Sequence, residues 1–322
     1  MATVDLNLPI SEILHKGTVK SHDEVAKSPG AAALVNAALP REEYVRFLMI
    51  LWHIYGYCSF FSLLDTVGLT IAVISAIEEA LERHAANTVL QPTYNPILLA
   101  RKSSLSADIS AVLQVPESSW QAHPIYTSLM ASPPPALTAY TSRITDIEST
   151  DPSLLLAHSY ARYLGDLSGG QVIKHRTAKA YGLDEQSNIG LSFYTFRQLG
   201  SSVPATSQGD MKKIKVWFKA GMDAGVGDDT KLKEALLREA NTAFELNAGL
   251  LNDLSIDEKL QQPVVPILQP VPAEKTYSIA TVFSVITAIC LAHFLLVIGG
   301  FTGAKGYSKL LAAEQWVASL LS

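Results

Sequence analysis

The sequence has few charged residues and very little cysteine. Only 17% of its 322 residues are charged, while 48% are hydrophobic, so a large core can form and part of the chain could lie in lipid. The net charge of -5 and the lack of a basic stripe argue against a nucleic-acid partner. Cys58 and Cys290 stand in apolar stretches without metal-ligand spacing, which suits a reducing compartment and excludes a disulfide scaffold.

The N-terminus also lacks a basic region followed by an apolar one, so no secretory signal is predicted. The sequence shows no internal repeat and no strand-like alternation of any length. The spacing of its apolar residues instead predicts an all-α fold for the soluble part. Helices are expected at about 11–27, from 41, and at about 77–86, 96–113, 136–145, 154–181, 210–224 and 230–254.

A proline-rich segment separates the main domain, 1–255, from the end of the chain. Residues 256–275 include QQPVVPILQPVPAEK, which predicts an extended, semi-rigid linker. Residues 276–304 contain no Asp, Glu, Lys or Arg and exceed the roughly 20 residues needed to span a bilayer. A buried globular helix is the alternative, but the linker and the missing charge favour a transmembrane tail anchor. The main domain would then be cytosolic, and a short tail, 305–322, would follow the anchor.

A second apolar run begins at Phe47. Residues 47–64 (FLMILWHIYGYCSFFSLL) carry no Asp, Glu, Lys or Arg, and the run resumes after Asp65 as TVGLTIAVISAI. This run could be a re-entrant or membrane-spanning segment. Its first half, however, has the residues of a core helix that starts after Pro40. We therefore expect a buried helix with an unusual apolar insertion.

One histidine of the first predicted helix shares a face with apolar residues. Four residues recur at helical spacing on this face: Leu14, Thr18, His22 and Val25. His22 is therefore expected to point inward, where a lone histidine is most often a core residue bonded to a backbone carbonyl. His15 lies about 10 Å away along the helix axis, which is too far for the two histidines to share one metal ion.

Glycines interrupt the helix predicted at 154–181. The stretch YLGDLSGGQV contains Gly165, Gly169 and Gly170, and each interior helix glycine costs about 1 kcal/mol relative to alanine. Residues without a Cβ let a flat, bulky group approach the backbone and let a helix kink, although they also serve tight helix packing. A helix weakened in this way and facing an inward histidine suggests a planar ligand between two helices.

The stretch ARYLGDLSGGQV closely resembles the signature of the haem oxygenases, and the resemblance covers roughly residues 10–254. Further similar segments follow the family's order: ISEILHKGTVKSHDEV at 10–25, LWHIY at 51–55, YNPILLARKSSLSADI at 94–109, LLLAHSYARY at 154–163, GLSFYTF at 190–196 and EANTAFELNAGLLNDL at 239–254. A C-terminal anchor after a proline-rich linker also fits the membrane-bound members. The resemblance therefore implies a haem-oxygenase-like helical domain fixed to the endoplasmic reticulum membrane.

The resemblance implies that haem is both substrate and cofactor. The protein would open the ring at one meso carbon to give biliverdin, carbon monoxide and ferrous iron, using O2 and electrons from an NADPH-dependent flavoprotein reductase. His22 matches the family's proximal iron ligand. Gly165 and Gly169 match the bare backbone that crowds the other face of the ring, and Asp166 matches the carboxylate that holds a proton-delivering water network.

Other positions match residues that support this chemistry. Tyr55 and Arg162 match an extension of the water network. The cofactor-binding positions implied are Thr18 and, at the propionate edge, His15, Tyr160, Lys215 and Lys219. The family's usual arginine is Lys219 here, which keeps the charge but loses the planar fork that grips a carboxylate. His15 replaces a usual lysine, so its charge depends on pH.

The largest departure from the family is an insert of about twenty residues, GYCSFFSLLDTVGLTIAVIS at 56–75. Three explanations stay open: a membrane-dipping hairpin, a local subdomain, or an unspliced segment of the gene. Because the insert directly follows Tyr55, it bears on the position of that residue and on haem binding. The alternative function is therefore a membrane-bound haem-binding or haem-sensing protein without turnover. A di-iron site would need Glu-x-x-His motifs on several helices, and the sequence does not supply that set.

Overall fold

The computed structural model describes residues 4–56, 76–205 and 207–256, together with Leu311 and Gln315. Apart from the last two, these residues belong to one unit, 1–264. In chain order, the α-helices of this unit's described residues are α1 (Ile10–Gly17), α2 (Val19–Ala26), α3 (Pro29–Val35), α4 (Arg41–Tyr55), α5 (Ile77–Arg83), α6 (Pro96–Leu99), α7 (Lys102–Leu113), α8 (Pro124–Ala131), α9 (Pro135–Thr150), α10 (Leu155–Asp166), α11 (Gly169–Tyr181), α12 (Gln208–Val226) and α13 (Thr230–Asn252). The all-α prediction is confirmed for this part of the chain.

Several sequence predictions fall on other residues. The anchor at 276–304 lies outside the described residues, as do all but the first residue of the linker at 256–275 and of the insert at 56–75. The tail lies outside them as well, apart from two isolated positions. Within the described ranges, no helix is long and apolar enough to cross a membrane.

Helix α4 lies at the centre of the core. Every residue from Phe47 to Tyr55 is buried, as expected for a helix that is apolar on all sides. Glu42 and Glu43 occupy its first turn, where carboxylates interact favourably with the helix dipole. The helix packs against α7, α8 and α9. The prediction of a buried helix is therefore confirmed as far as Tyr55.

Three helices predicted as continuous are interrupted. The helix predicted at 96–113 is divided into α6 and α7 at Ala100, which has φ -61° and ψ 132°. The other two are those predicted at 11–27 and 154–181. The first of these is divided at Thr18, which has φ -108° and ψ 3°, so the prediction of one helix over 11–27 is wrong. The Thr18 hydroxyl donates to the Leu14 carbonyl at 2.7 Å, a local bond that bends helices. The second is divided between α10 and α11, where Ser168 adopts φ -116° and ψ -83°. The glycine-rich segment does kink, with Gly165 and Gly169 on either side of the break.

Helix α13 brings the sequence-distant parts of the site together. It packs against α1, α2 and α3 from the start of the chain and against α9 and α10 from its middle. Asp229 begins the helix by accepting a hydrogen bond from the Leu232 amide at 3.0 Å. Residues of α2 and α10 thereby face one common space.

Candidate functional site

A cavity of about 220 Å³ lies among α2, α3, α4, α10, α11 and α13. Its lining is mostly apolar and aromatic, with a few polar side chains, as is usual for small-molecule sites. The predicted residues that line it are His22, Arg162, Gly165, Asp166 and Gly169. Five of the predicted site residues, from three different helices, therefore meet at one cavity.

His22 lines the cavity instead of packing in the core. Its side chain is 63% exposed, whereas Leu14 and Thr18 on the same predicted face are buried. The expectation that His22 points inward among apolar side chains is therefore wrong, because the space in front of it is the cavity. The ring of Phe244 meets the imidazole edge-on, with centroids 5.9 Å apart, and Asp23 Oδ1 lies 3.7 Å from Nδ1.

The glycines of the signature have two different roles. A Cβ atom at Gly165 or Gly169 would meet nothing within 4 Å, and both residues are exposed to the cavity. A Cβ atom at Gly170 would instead lie 3.3 Å from Tyr194 Cδ1. Gly170 thus allows close packing inside the protein, while Gly165 and Gly169 leave bare backbone on the cavity side.

Asp166 is buried at the cavity wall and is held by two predicted residues. The Tyr55 hydroxyl donates to Asp166 Oδ2, and Arg162 Nε donates to the Tyr55 oxygen at 3.1 Å. Arg162 Nη2 lies 4.0 Å from Asp166 Oδ1. Burial raises the pKa of Asp166 above its ordinary value, and the positive charge of Arg162 opposes this shift. Tyr55, the last residue before the insert, is therefore in hydrogen-bonding contact with the carboxylate.

Sequence reasoning missed the residues that continue this network. Arg162 Nη1 donates to Asn247 Oδ1 at 2.6 Å, and Asn247 lines the cavity. Tyr140 shares a side-chain hydrogen bond with Asn247. Its hydroxyl also lies 3.3 Å from His158 Nδ1, and His158 Nε2 lies 2.9 Å from Glu239 Oε1. Asn247, His158 and Glu239 all fall in segments that carry the resemblance, but nothing in their spacing shows that they meet.

The structure does not bring the predicted propionate-binding residues into the cavity wall. His15 is exposed on α1, and the hydroxyl of Thr18 is paired with the Leu14 carbonyl and with Tyr160. Lys215 Nζ lies 3.4 Å from Ser168 Oγ, beside the kink between α10 and α11. Burial and the neighbouring charge of Lys219 lower the pKa of Lys215. The roles of these residues stay predictions.

Comparisons with known proteins point to one family. A family model described as heme oxygenase matches residues 63–253. Heme oxygenase 1 of Homo sapiens is 31% identical over 258 residues, which cover 79% of this chain and 76% of that protein. The heme oxygenase of Rhodella violacea is 30% identical over 251 residues, or 78% of this chain and 88% of that protein. The solved structure of heme oxygenase-2 from Synechocystis with heme and NO has a TM-score of 0.61 and 27% identity, and covers 77% of this chain and 85% of that one.

Proposed function

The chain belongs to the haem oxygenase family and is a haem-degrading oxidoreductase, and we propose that it opens the ring at a meso carbon. The products would be biliverdin, carbon monoxide and ferrous iron, with O2 and reductase-supplied electrons consumed. One observation carries this proposal: Asp166, held by Tyr55 and Arg162, stands in the wall of the cavity that His22 also lines.

The glycine wall of the cavity leaves room for a flat macrocycle. Gly165 and Gly169 have open space where a side chain would start, so a planar group can lie against the backbone at the kink. The exposed imidazole of His22 can reach a ligand in the same cavity. When bound, haem supplies the iron that activates dioxygen and the ring that is oxidised. His22 is the residue that would hold that iron, since a histidine is a common axial ligand of haem.

Asp166 is suited to hold and deliver a proton at the cavity. Because burial raises its pKa, its carboxyl takes up a proton more readily than an exposed aspartate does. Tyr55 and Arg162 fix the carboxylate in one orientation, which general acid catalysis through the carboxyl or a water on it requires. Asn247 fixes Arg162 in turn. The cavity wall therefore combines a proton carrier with a rigid support.

The rival function, haem binding without turnover, loses its main support. It depended on the insert displacing Tyr55 and on Lys219 standing in place of arginine. Tyr55 nevertheless bonds to Asp166 in the chain that contains the insert, and the comparisons favour the oxygenase.

Membrane attachment and a redox partner are further parts of the proposal. The uncharged segment 276–304 after a proline-rich linker supports a tail anchor in the endoplasmic reticulum membrane, with the domain on the cytosolic side. An NADPH-dependent flavoprotein reductase would supply the electrons, as the resemblance to the haem oxygenases implies.

The test is an absorption spectrum of the protein with haemin, followed after addition of a flavoprotein reductase and NADPH in air. We expect a Soret band that decays into a biliverdin spectrum with release of carbon monoxide. His22→Ala should weaken or shift the Soret band, and Asp166→Asn should keep the band and lower turnover about 10²–10⁴-fold.

His175→Ala is a matched control, because this histidine is 72% exposed on α11 and pairs with Glu185. It should behave like the wild type. A wild-type Soret band that never decays would establish the rival function, and an unchanged spectrum in His22→Ala would exclude His22 as the ligand.

A further inference from the structure

The turn Ser192–Tyr194 forms part of the cavity wall. Phe193 and Tyr194 line the cavity, and each is only 2% exposed. The ring of Phe193 meets that of Tyr55 edge-on with centroids 5.8 Å apart, and Tyr194 lies against Gly170. The turn thus touches both the tyrosine that bonds Asp166 and the kinked glycine segment.

A buried carboxylate outside the cavity lining binds the amides of this turn. Asp108, on α7, has no exposed surface. Its Oδ1 accepts the Ser192 N–H at 2.8 Å, and its Oδ2 accepts the Phe193 N–H at 2.7 Å. Hydrogen bonds to a charged acceptor are stronger than neutral ones, and two of them fix both the position and the direction of consecutive peptide groups.

A buried guanidinium binds the carbonyls of the same segment. Arg101 precedes Asp108 by seven residues and is 4% exposed. Its Nη1 donates to the Phe193 carbonyl at 3.3 Å and to the Thr195 carbonyl at 2.9 Å. Gln171 Nε2 donates to the Tyr194 carbonyl at 2.9 Å. The turn is a single 3-10 turn whose own backbone bonds are Tyr194 N–H to the Leu191 carbonyl and Thr195 N–H to the Ser192 carbonyl, so these side chains satisfy the remaining buried peptide groups.

We propose that Asp108 is a positioning residue that, together with Arg101, fixes the turn Ser192–Tyr194 and so sets the orientation of the haem ring. The proposal rests on the proposed function. Asp108 itself does not reach the cavity; it acts through Phe193 and Tyr194, whose side chains do. A shift of the reacting atoms of about 1 Å is enough to change the outcome of a reaction, so a displaced wall should change which meso carbon is opened.

The experiment compares Asp108→Asn with the wild type in two measurements. The asparagine keeps the shape of the side chain, but its NH2 group faces one of the two backbone N–H donors. Without haem, we expect amide hydrogen exchange over residues 191–196 to become about tenfold faster or more. With haemin and reductase, the ratio of biliverdin isomers should change about threefold or more.

Asp223→Asn is the matched control, because Asp223 likewise accepts a backbone N–H, that of Ser11, at 2.8 Å, and lies outside the cavity lining. It should leave the exchange at 191–196 and the isomer ratio unchanged. If Asp108→Asn fails to fold, Phe193→Leu can be used instead. It replaces the aromatic ring in the cavity wall with a smaller side chain, leaves Asp108 in place, and should still change the isomer ratio.

The outcomes separate this inference from the proposed function. A wild type that turns over, with the isomer ratio unchanged in Asp108→Asn or, if that variant does not fold, in Phe193→Leu, overturns the inference alone. An equal loss of thermal stability in Asp108→Asn and Asp223→Asn, with no other difference, does the same. A wild type that binds no haemin overturns the proposed function and the inference with it.

Discussion

At the scale of single residues, Gly165 and Gly169 decide how closely a flat ligand can approach the backbone. We expect Gly165→Ala and Gly169→Ala to keep the free energy of unfolding or to raise it by up to about 1 kcal/mol, because alanine favours a helix and the new methyl group meets no neighbour. The same methyl group should weaken haemin binding, since it would occupy the space that we propose for the ring. Chemical denaturation and haemin titration measure the two effects separately.

Gly221→Ala provides the contrast, because its Cβ would lie 2.6 Å from the Pro92 carbonyl oxygen, away from the cavity. That variant should lose stability. If the alanine variants at 165 and 169 instead bind haemin as tightly as the wild type, the ring does not lie against this segment.

Site residues that belong to one contiguous motif could be identified from the sequence more easily than residues that reach the site only through helix packing. Gly165 and Asp166 are neighbours in the chain, so their shared motif could be read directly. Asn247 and Asp108 act through contacts with Arg162 and with the turn at Ser192, and those contacts depend on which helices pack together. A single sequence does not contain that information.

At the scale of helices, an ion-pair cluster joins α9, α10 and α13. Glu239 on α13 bonds to His158 on α10 at 2.9 Å and to Arg143 on α9 at 2.5 Å and 3.0 Å. Burial alone would raise the pKa of Glu239, but the bonds from His158 and Arg143 outweigh it and lower the pKa to about 2. Burial also lowers the pKa of His158, so its imidazole stays neutral more readily.

The depressed pKa of Glu239 gives this cluster a defined pH dependence. Its ionised form stabilises the folded state above the ordinary glutamate pKa near 4.5, and this contribution is lost as the pH falls toward 2. Glu239→Gln should therefore lower the free energy of unfolding by about 3 kcal/mol at pH 7 and reduce the further loss between pH 5 and pH 3. Urea denaturation at several pH values measures both.

Glu234→Gln is the control for this prediction. Glu234 is on the same helix and pairs with Arg238 at 2.7 Å, but its side chain is 59% exposed. An exposed pair contributes little, so this variant should stay within about 0.5 kcal/mol of the wild type. Equal effects of the two substitutions would show that the cluster stabilises the fold no more than an exposed ion pair does.

Most helices could be predicted, but their interruptions could not. The long segments at α4, α12 and α13 were found nearly in full, because apolar residues recur along their whole length. The short helices α3 and α8 were missed because each has fewer than nine residues and begins at a proline. The break at Thr18 coincides with a bond from its hydroxyl to the Leu14 carbonyl, which periodicity does not reveal.

At the scale of the whole molecule, the described lining of the cavity comes from distant parts of the helical unit. His22, Asp166 and Asn247 come from the beginning, middle and end of the residues 4–256, and each lines the cavity. Residues that are far apart in the sequence must therefore come together during folding before the cavity can form. Catalysis should in turn not depend on residues 257–322 if their task is to attach the domain to a membrane.

Either of two apolar segments, 276–304 or the insert at 56–75, could attach the protein to a membrane, and extraction experiments distinguish them. Residues 1–256 should remain soluble on expression and bind haemin, whereas the full chain should stay in the membrane fraction after alkaline extraction. Ala288→Arg should release much of the full chain, because an arginine at the centre of a span costs about 2.5–3.5 kcal/mol on insertion. Ala273→Arg makes the same change in the linker, where the side chain stays in water, and should not release it. If residues 1–256 still resist extraction, the apolar insert at 56–75 is the segment in the membrane, and the tail anchor is not required to explain attachment.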